Sequence, residues 1–229
     1  NSGLTRRANS WPFFTASPAC TAKVTVPALP AYAWGYGSHH LALAGNVAGS
    51  AAEPPAILLA EVYRDQVDVS RYLVSEKLDG VRAIWDGGTL RFRSGKEINA
   101  PRWFVDGLPK RPLDGELWIA RGKFERLSGI VRKDVPDDNE WRQVRYMIFD
   151  LPGEEASFEL RLRRLHEVIA AAALPWVQAV PQFRVDDEVA LAATLARVVA
   201  GGGEGLMLHR ADARWQAGRS DALLKLTPF

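Results

Sequence analysis

The chain has 229 residues, 47% of them hydrophobic and 24% charged, enough for one sizeable core or one core with a small appendage. Its formal net charge of +2 comes entirely from residues 1–60, where Arg6, Arg7 and Lys23 stand against Glu53, so global charge neither requires nor excludes a nucleic-acid partner. A single cysteine, Cys20, rules out an intrachain disulfide, and no apolar run approaches the roughly 18 residues that a membrane-crossing helix needs.

Residues 1–56 are rich in Ala, Gly, Pro and Ser and keep no helix or strand period, which predicts a low-complexity, mostly disordered segment. Leu41 to Ala52 has the small-residue flavour of a signal-peptide cleavage region, but Gly45 and Asn46 interrupt it and no charged start adjoins it; a linker is the competing reading. The only methionines are Met147 and Met207, and the text stops at Phe229 just after an apolar run, so the chain reads as a piece of a longer one.

From Ile57 onward the text is organised. "YLVSEKL", "VRAIWDGGTLRFRS", "PLDGELWIA", "VRYMIFDL", "GLMLHR" and "LLKLTPF" are short β-rich runs bounded by Gly, Asp or Pro, and they predict strands. The "DGG" between Trp85 and Thr89 suits a hairpin, since glycine takes positive φ without a steric penalty. In "SFELRLRRLHEVIAAAA" the apolar positions Phe158, Leu162, Leu165 and Ile169 step by four, three and four, and Pro175 follows the end of the predicted helix. In "DDEVALAATLARVVAGGG" Asp186 and Asp187 offer an N-cap and Gly201 a C′ stop for a second helix. Strands outnumber helices and are mostly joined by short connections, so an α+β domain with antiparallel sheets is expected over residues 57–229.

"SEKLDGVRA" is the stretch richest in chemistry. Read as a strand, it puts Lys77 and Asp79 on one side and Glu76 and Leu78 on the other, so a cation and a carboxylate share a face. A lysine becomes a nucleophile near neutral pH only when burial or neighbouring cations favour its neutral amine; Arg82 and Lys225 are the cations on offer, and an ordinary surface ion pair is the competing reading. Glu116 in "LDGELW", Asp150 in "IFDL" and Glu204 in "GEGLMLH" are carboxylates in apolar strand contexts. Oxygen ligands of this kind suit Mg²⁺ shared with a substrate phosphate, while a salt-bridged or edge-exposed acid is the alternative for each one alone.

Taken together and in order, "EKLDGVRA", "RFRSG", "LDGELW", "YMIFDL", "EGLMLH" and "LLKL" resemble the nucleotidyltransferase motifs of ATP-dependent DNA ligases. "NAPRWF", "FERLSGIVRK" and "GRSDALLK" add a likeness to the minimal bacterial E-type ligases. The resemblance runs over about residues 57–229. It implies a covalent nucleotidyltransferase fold, ATP-grasp-like, with antiparallel sheets flanked by helices, and an enzyme of DNA repair, recombination or replication that uses ATP and Mg²⁺ or Mn²⁺.

Carried over by position, the resemblance makes Lys77 the nucleophile that attacks the ATP α-phosphate and holds AMP. Glu76 would place the adenine through its backbone region, and Phe149 would stack on the ring. Arg82 and Arg93 would contact the ribose and phosphate side, with Arg93 also facing the 5′-phosphate of a nicked duplex. Glu116 would bind the ribose or a metal, Glu204 the catalytic divalent cation, and Lys225 the α-phosphate, while Asp79 would serve the later passage of AMP to DNA and its displacement by the 3′-hydroxyl. The basic stretch holding Arg121, Lys123, Arg126, Arg132 and Lys133 predicts salt-sensitive, sequence-independent contact with DNA phosphates, against the alternative of a solvated helix face.

Two departures from the family pattern stand out. The family carries a second lysine two residues after the position of Lys225, where this chain has Thr227. Family members also continue into an oligonucleotide-binding barrel, and this chain ends before it. An RNA ligase or capping-type nucleotidyltransferase shares the covalent chemistry and stays open, as does a non-catalytic nucleotide- or DNA-binding remnant. Nicked double-stranded DNA is the expected partner, a monomer without membrane association the expected state, and the periplasm the compartment implied by the E-type likeness, the cytoplasm otherwise. Trp85, Trp103, Trp118 and Trp141 are expected as core or rim packing.

Overall fold

Short β-branched and aromatic runs cannot bury both faces in one layer, and here they divide between two sheets. The computed structural model describes residues 53–65 and 67–228. In it the first sheet orders β1 (Leu58–Val62), β9 (Gly218–Leu226), β8 (Leu206–Arg210) and β2 (Tyr72–Glu76). The second orders β4 (Leu90–Phe92), β3 (Val81–Trp85), β5 (Leu113–Trp118), β6 (Arg145–Asp150) and β7 (Val177–Ala179). The expected disorder over residues 1–56 lies outside the described residues except for 53–56, which have no regular structure.

Most neighbours are antiparallel, as the short connections require, but β1 with β9 and β6 with β7 are parallel. The second case is permitted because helix α4 (Phe158–Ala172) lies between β6 and β7 and provides the crossover. The "DGG" hairpin forms as expected: Trp85 faces Leu90, Gly87 has φ 102°, and the Asp86 N–H donates to the Thr89 carbonyl at 3.1 Å.

Strand β2 stops at Glu76, so Lys77 and Asp79 do not alternate along a strand as the sequence pattern suggests. The last rung is the Lys77 N–H donating to the Gly205 carbonyl at 2.9 Å. The chain then turns through Asp79–Gly80, where a Cβ on Gly80 would collide with the Leu117 carbonyl oxygen and the Glu116 side chain. Only glycine lets this turn pack against β5, and the turn carries Lys77 off the sheet and onto its rim.

Helix α4 begins where Ser157 caps the Leu160 N–H and ends at Ala173 in the left-handed region. Phe158 and Leu165 are buried and Leu162 and Ile169 half-buried, as their spacing predicts. Helix α5 (Glu188–Ala200) is capped by Asp187, which accepts from the Ala190 N–H at 2.8 Å. At its other end Gly201 has φ −84°, and Gly202, with φ 83°, takes the left-handed position expected of Gly201.

The larger core lies against the second sheet. Leu113, Leu117, Tyr146 and Ile148 meet Phe104 of α1 (Arg102–Val105), Leu127 of α2 (Phe124–Val131), Trp141 of α3 (Asp138–Trp141) and Leu165 of α4. Trp103 packs edge-to-face on Phe104 and Trp176, and Phe104 on Trp141 with centroids 4.8 Å apart, while the Trp85 indole donates to the Pro109 carbonyl at 2.7 Å. A smaller core joins Leu191 of α5 to Val74, Leu206, Leu208 and Leu224 of the first sheet.

Candidate active site

Between the sheets lies a cleft of about 320 Å³. Its first wall is a row of register partners: Ser75 on β2 faces Met207 on β8, and Met207 faces Lys225 on β9. Its second wall carries Arg82 on β3 beside its partner Glu116 on β5, together with Phe149 on β6. Phe149 reaches the cleft through a β-bulge. On β5, Asp114 pairs with Asp150 and Gly115 with Ile148, which leaves Phe149 without a partner and turns its ring outward. Gly115 permits the bulge, since a Cβ there would stand 2.5 Å from the Met147 carbonyl oxygen and 2.8 Å from the Tyr146 ring.

Arg82 is locked from behind. Its Nε and Nη2 each donate to the Asp114 carboxylate at 2.7 Å, and Nη2 also donates to the Leu58 carbonyl at 3.1 Å. The guanidinium lies 4.8 Å from the Phe149 ring centroid, so one residue fixes both a charge and an aromatic face in the cleft. Burial works against its charge, yet the Asp114 carboxylate overcomes that and holds the guanidinium above its ordinary range. Burial raises the Glu116 carboxyl to about 7 despite the opposing charges of Arg82 and Lys77.

Lys77 stands at the cleft rim, ion-paired to Glu204. Glu204 sits in the loop before β8 rather than in a strand. Asp79 is half-buried outside the cleft lining, and its carboxyl is raised by desolvation and by the Glu204 charge. Glu76, beside the lysine, accepts two bonds from the Arg121 guanidinium at 2.7 and 2.8 Å, and Arg121 also donates to the Gly201 carbonyl at 3.0 Å. Arg121 therefore joins the end of β2 to the loop after β5, an ion pair on the rim where a DNA contact is expected from sequence.

Arg93 is exposed in the turn after β4 and lines the same cleft. Of the remaining basic residues, Lys123 and Arg126 are exposed at the start of α2, Arg132 lies 5.5 Å from the Phe92 ring centroid, and Lys133 pairs with Glu140 at 2.5 Å. Asp150 takes the structural alternative: it is buried against the buried Arg161 and does not line the cleft. Sequence reasoning passes over Asp114, Met207, Gln182, His209 and Arg219. Asp114 and Met207 lie within recognised motifs without being singled out there, and Gln182 in "PQFR" lies outside every one of them.

No group of three or more His, Cys, Asp or Glu side chains gathers into a metal cage among the described residues. Glu204, which pairs with Lys77, and Glu116, whose carboxyl feels the Lys77 charge, are hard oxygen donors on either side of that amine's surroundings. That set fits Mg²⁺ or Mn²⁺, which take few protein carboxylates and complete the shell with water and substrate phosphate.

A family model described as ATP dependent DNA ligase domain matches residues 59–226. A DNA ligase of Haemophilus influenzae is 31% identical over 170 residues, covering 74% of this chain and 62% of that protein, so the chain spans less than two thirds of that relative's length. A solved structure from a structure–function study of Lig E DNA ligases is 44% identical with a TM-score of 0.73, covering 76% of this chain and 69% of that one. The Chlorella virus DNA ligase-adenylate is similar in fold, with a TM-score of 0.63 at 22% identity over 76% of this chain and 69% of that one.

Proposed function

Because the chain belongs to the ATP-dependent DNA ligase domain family, we propose that its cleft binds ATP and transfers AMP to Lys77, the opening half of a DNA ligase reaction, with residues 57–229 as the nucleotidyltransferase domain. The observation that carries this reading is the setting of Lys77: a primary amine on the cleft rim, paired with Glu204, with Arg82, Arg93 and Lys225 lining the same cavity. Attack requires the neutral amine, freed of its contact with Glu204. Nζ then attacks the α-phosphorus. An N–P bond forms as the bond from that phosphorus to the pyrophosphate oxygen breaks, and the protons shed by the amine pass to solvent.

Phe149 stacks on the adenine and the Glu76 backbone region holds it. Arg82 and Arg93 meet the ribose and phosphate side, and Lys225 steadies the α-phosphate as its charge redistributes. Glu204, with Glu116 as ribose or metal ligand, would hold a divalent cation, which would supply neutralisation of phosphate charge. Asp79 serves the passage of AMP from Lys77 to a 5′-phosphate and the attack of the 3′-hydroxyl. Arg93, Lys123 and Arg132 follow the DNA backbone; Arg121 and Lys133 can join them only by exchanging Glu76 and Glu140 for phosphate. No helix among the described residues is long and apolar enough to cross a membrane.

The test uses ATP labelled at the α-phosphate, the same label on GTP, and nicked duplex DNA with Mg²⁺. The expected result is protein label from ATP that survives alkali and is released by acid, as an N–P bond requires, little label from GTP, and its discharge onto the DNA 5′-phosphate. Label from GTP in preference to ATP would point to capping chemistry, and no label from either would remove the enzymatic reading.

A further inference from the structure

We infer that Gln182 reads the six-position of the purine and selects ATP by accepting a hydrogen bond from its exocyclic amine. The inference rests on the nucleotide-binding reading above and adds a residue that lies outside every recognised motif.

Gln182 belongs to a short segment laid against the free side of β2. Val74 and Phe183 form an antiparallel bridge, with the Val74 N–H donating to Phe183 at 2.7 Å and the Phe183 N–H donating back at 2.9 Å. One step along each chain sets Gln182 opposite Ser75, on the face that Ser75 turns to the cleft. Lys225, Met207, Ser75 and Gln182 thus form one row across the first sheet. That row stands two residues behind Lys77 along β2, about 7 Å for an extended chain. A nucleotide whose α-phosphate meets Nζ therefore lays its base over this row, between Met207 and Phe149.

The second observation is an unpaid polar atom. Six buried side-chain nitrogens and oxygens lack a hydrogen-bond partner among the described residues, and only those of Gln182 and His209 belong to residues lining the cleft. For Gln182 the atom is Oε1, an acceptor with no donor. A buried carbonyl without a partner is costly, which calls for an explanation in a native fold. A ligand that brings a donor supplies one. The last torsion of a glutamine is broad, so the amide can turn its oxygen to a base edge without a rotamer penalty. Adenine presents an N–H₂ donor at its six-position, guanine and hypoxanthine an acceptor.

His209 stands on the same face of β8 one row deeper, its ring stacked on Phe158 with centroids 3.5 Å apart and its Nε2 unbonded. It closes the end wall with a second polar atom, so the base meets an edge-reading surface rather than an apolar one.

The test is equilibrium binding by calorimetry in the full chain carrying Lys77→Ala, which stops covalent capture. The ligands are ATP and purine riboside triphosphate, which lacks only the exocyclic amine. We expect ATP to bind about tenfold more tightly, the equivalent of one hydrogen bond to a buried acceptor. Adding Gln182→Met should bring the two ligands within about twofold of each other by weakening ATP alone, since the lost bond belongs to ATP only. Gln182→Glu keeps an acceptor and should keep the preference; it also decides the matter if the methionine variant does not fold. Equal affinities in the Lys77→Ala chain, or a preference unchanged by Gln182→Met, would overturn the inference. Self-adenylation of the wild-type chain, measured alongside, separates the two readings. Label on the protein with no base preference through Gln182 removes this inference and leaves the ligase reading. A Gln182-dependent preference without any label does the reverse.

Discussion

A guanidinium without solvent exposure, Arg161 is tolerated inside the fold because every side of it is met. Asp150 accepts from Nε at 2.7 Å and from Nη2 at 3.1 Å, while the Ala156 and Ala213 carbonyls accept from Nη1 at 2.6 and 2.9 Å. The pair ties α4 to the end of β6 and to the segment after β8. Asp150→Asn leaves that charge uncompensated and is expected to cost about 3–5 kcal/mol in urea unfolding, while the folded fraction keeps its ATP affinity; a large loss of affinity with intact stability would return Asp150 to the active site. Single residues that line the cleft were legible where a motif names them, as with Lys77, Arg82, Glu116 and Phe149. They were not where their meaning depends on a remote partner: Arg161 looks like one more exposed cation of an amphipathic helix, and Asp114 like a strand-end acid, until Arg82 closes on it.

Elements obey the same division. The Asp187 cap of α5, the hairpin glycine and the apolar period of α4 announce themselves locally and form where expected, while the left-handed stop of α5 falls one residue later, at Gly202. The three-residue β7 and the parallel edge strand β1 do not, because their pairing partners are set by the tertiary fold rather than by any local period. The bulge in β6 is equally silent in the text, though Gly115 marks the spot once the register is known. Gly115→Ala would force the Met147 carbonyl and the Tyr146 ring aside, straightening or splaying the β5–β6 ladder. The expected outcome is a loss of about 1–3 kcal/mol together with a fall of at least about tenfold in adenylation rate, since Phe149 loses its aim. Stability lost with an unchanged rate would mean that the bulge does not position the ring for catalysis.

At the scale of the whole molecule, two titratable groups on the cleft, the half-buried Glu116 and the buried His209, pull stability in opposite directions. The folded chain holds the Glu116 proton up to about 7 against an ordinary 4.5, so it binds more protons than the unfolded chain in that window and stability falls as pH rises through it. His209, which burial keeps neutral down to about 4 against an ordinary 6.5, gives the opposite sign: there the unfolded chain binds more protons, and stability rises with pH. The two slopes overlap and offset each other between about pH 4.5 and 6.5. Glu116→Gln, melted in EDTA, should therefore stabilise the fold by up to about 3 kcal/mol more at pH 8 than at pH 4 and leave the His209 rise unopposed; an equal shift in Tm at both pH values would show that Glu116 is not held protonated by its site. Both groups line the cleft that carries Lys77 on its rim, and the account stands on that amine becoming the carrier of AMP. The most direct measurement is mass spectrometry of the chain after incubation with ATP and Mg²⁺, with peptide mapping and a parallel Lys77→Arg sample. The account predicts a single AMP adduct on Lys77, absent from the Lys77→Arg protein although that protein still binds ATP. An adduct on another residue, or undiminished labelling of the arginine variant, would contradict it.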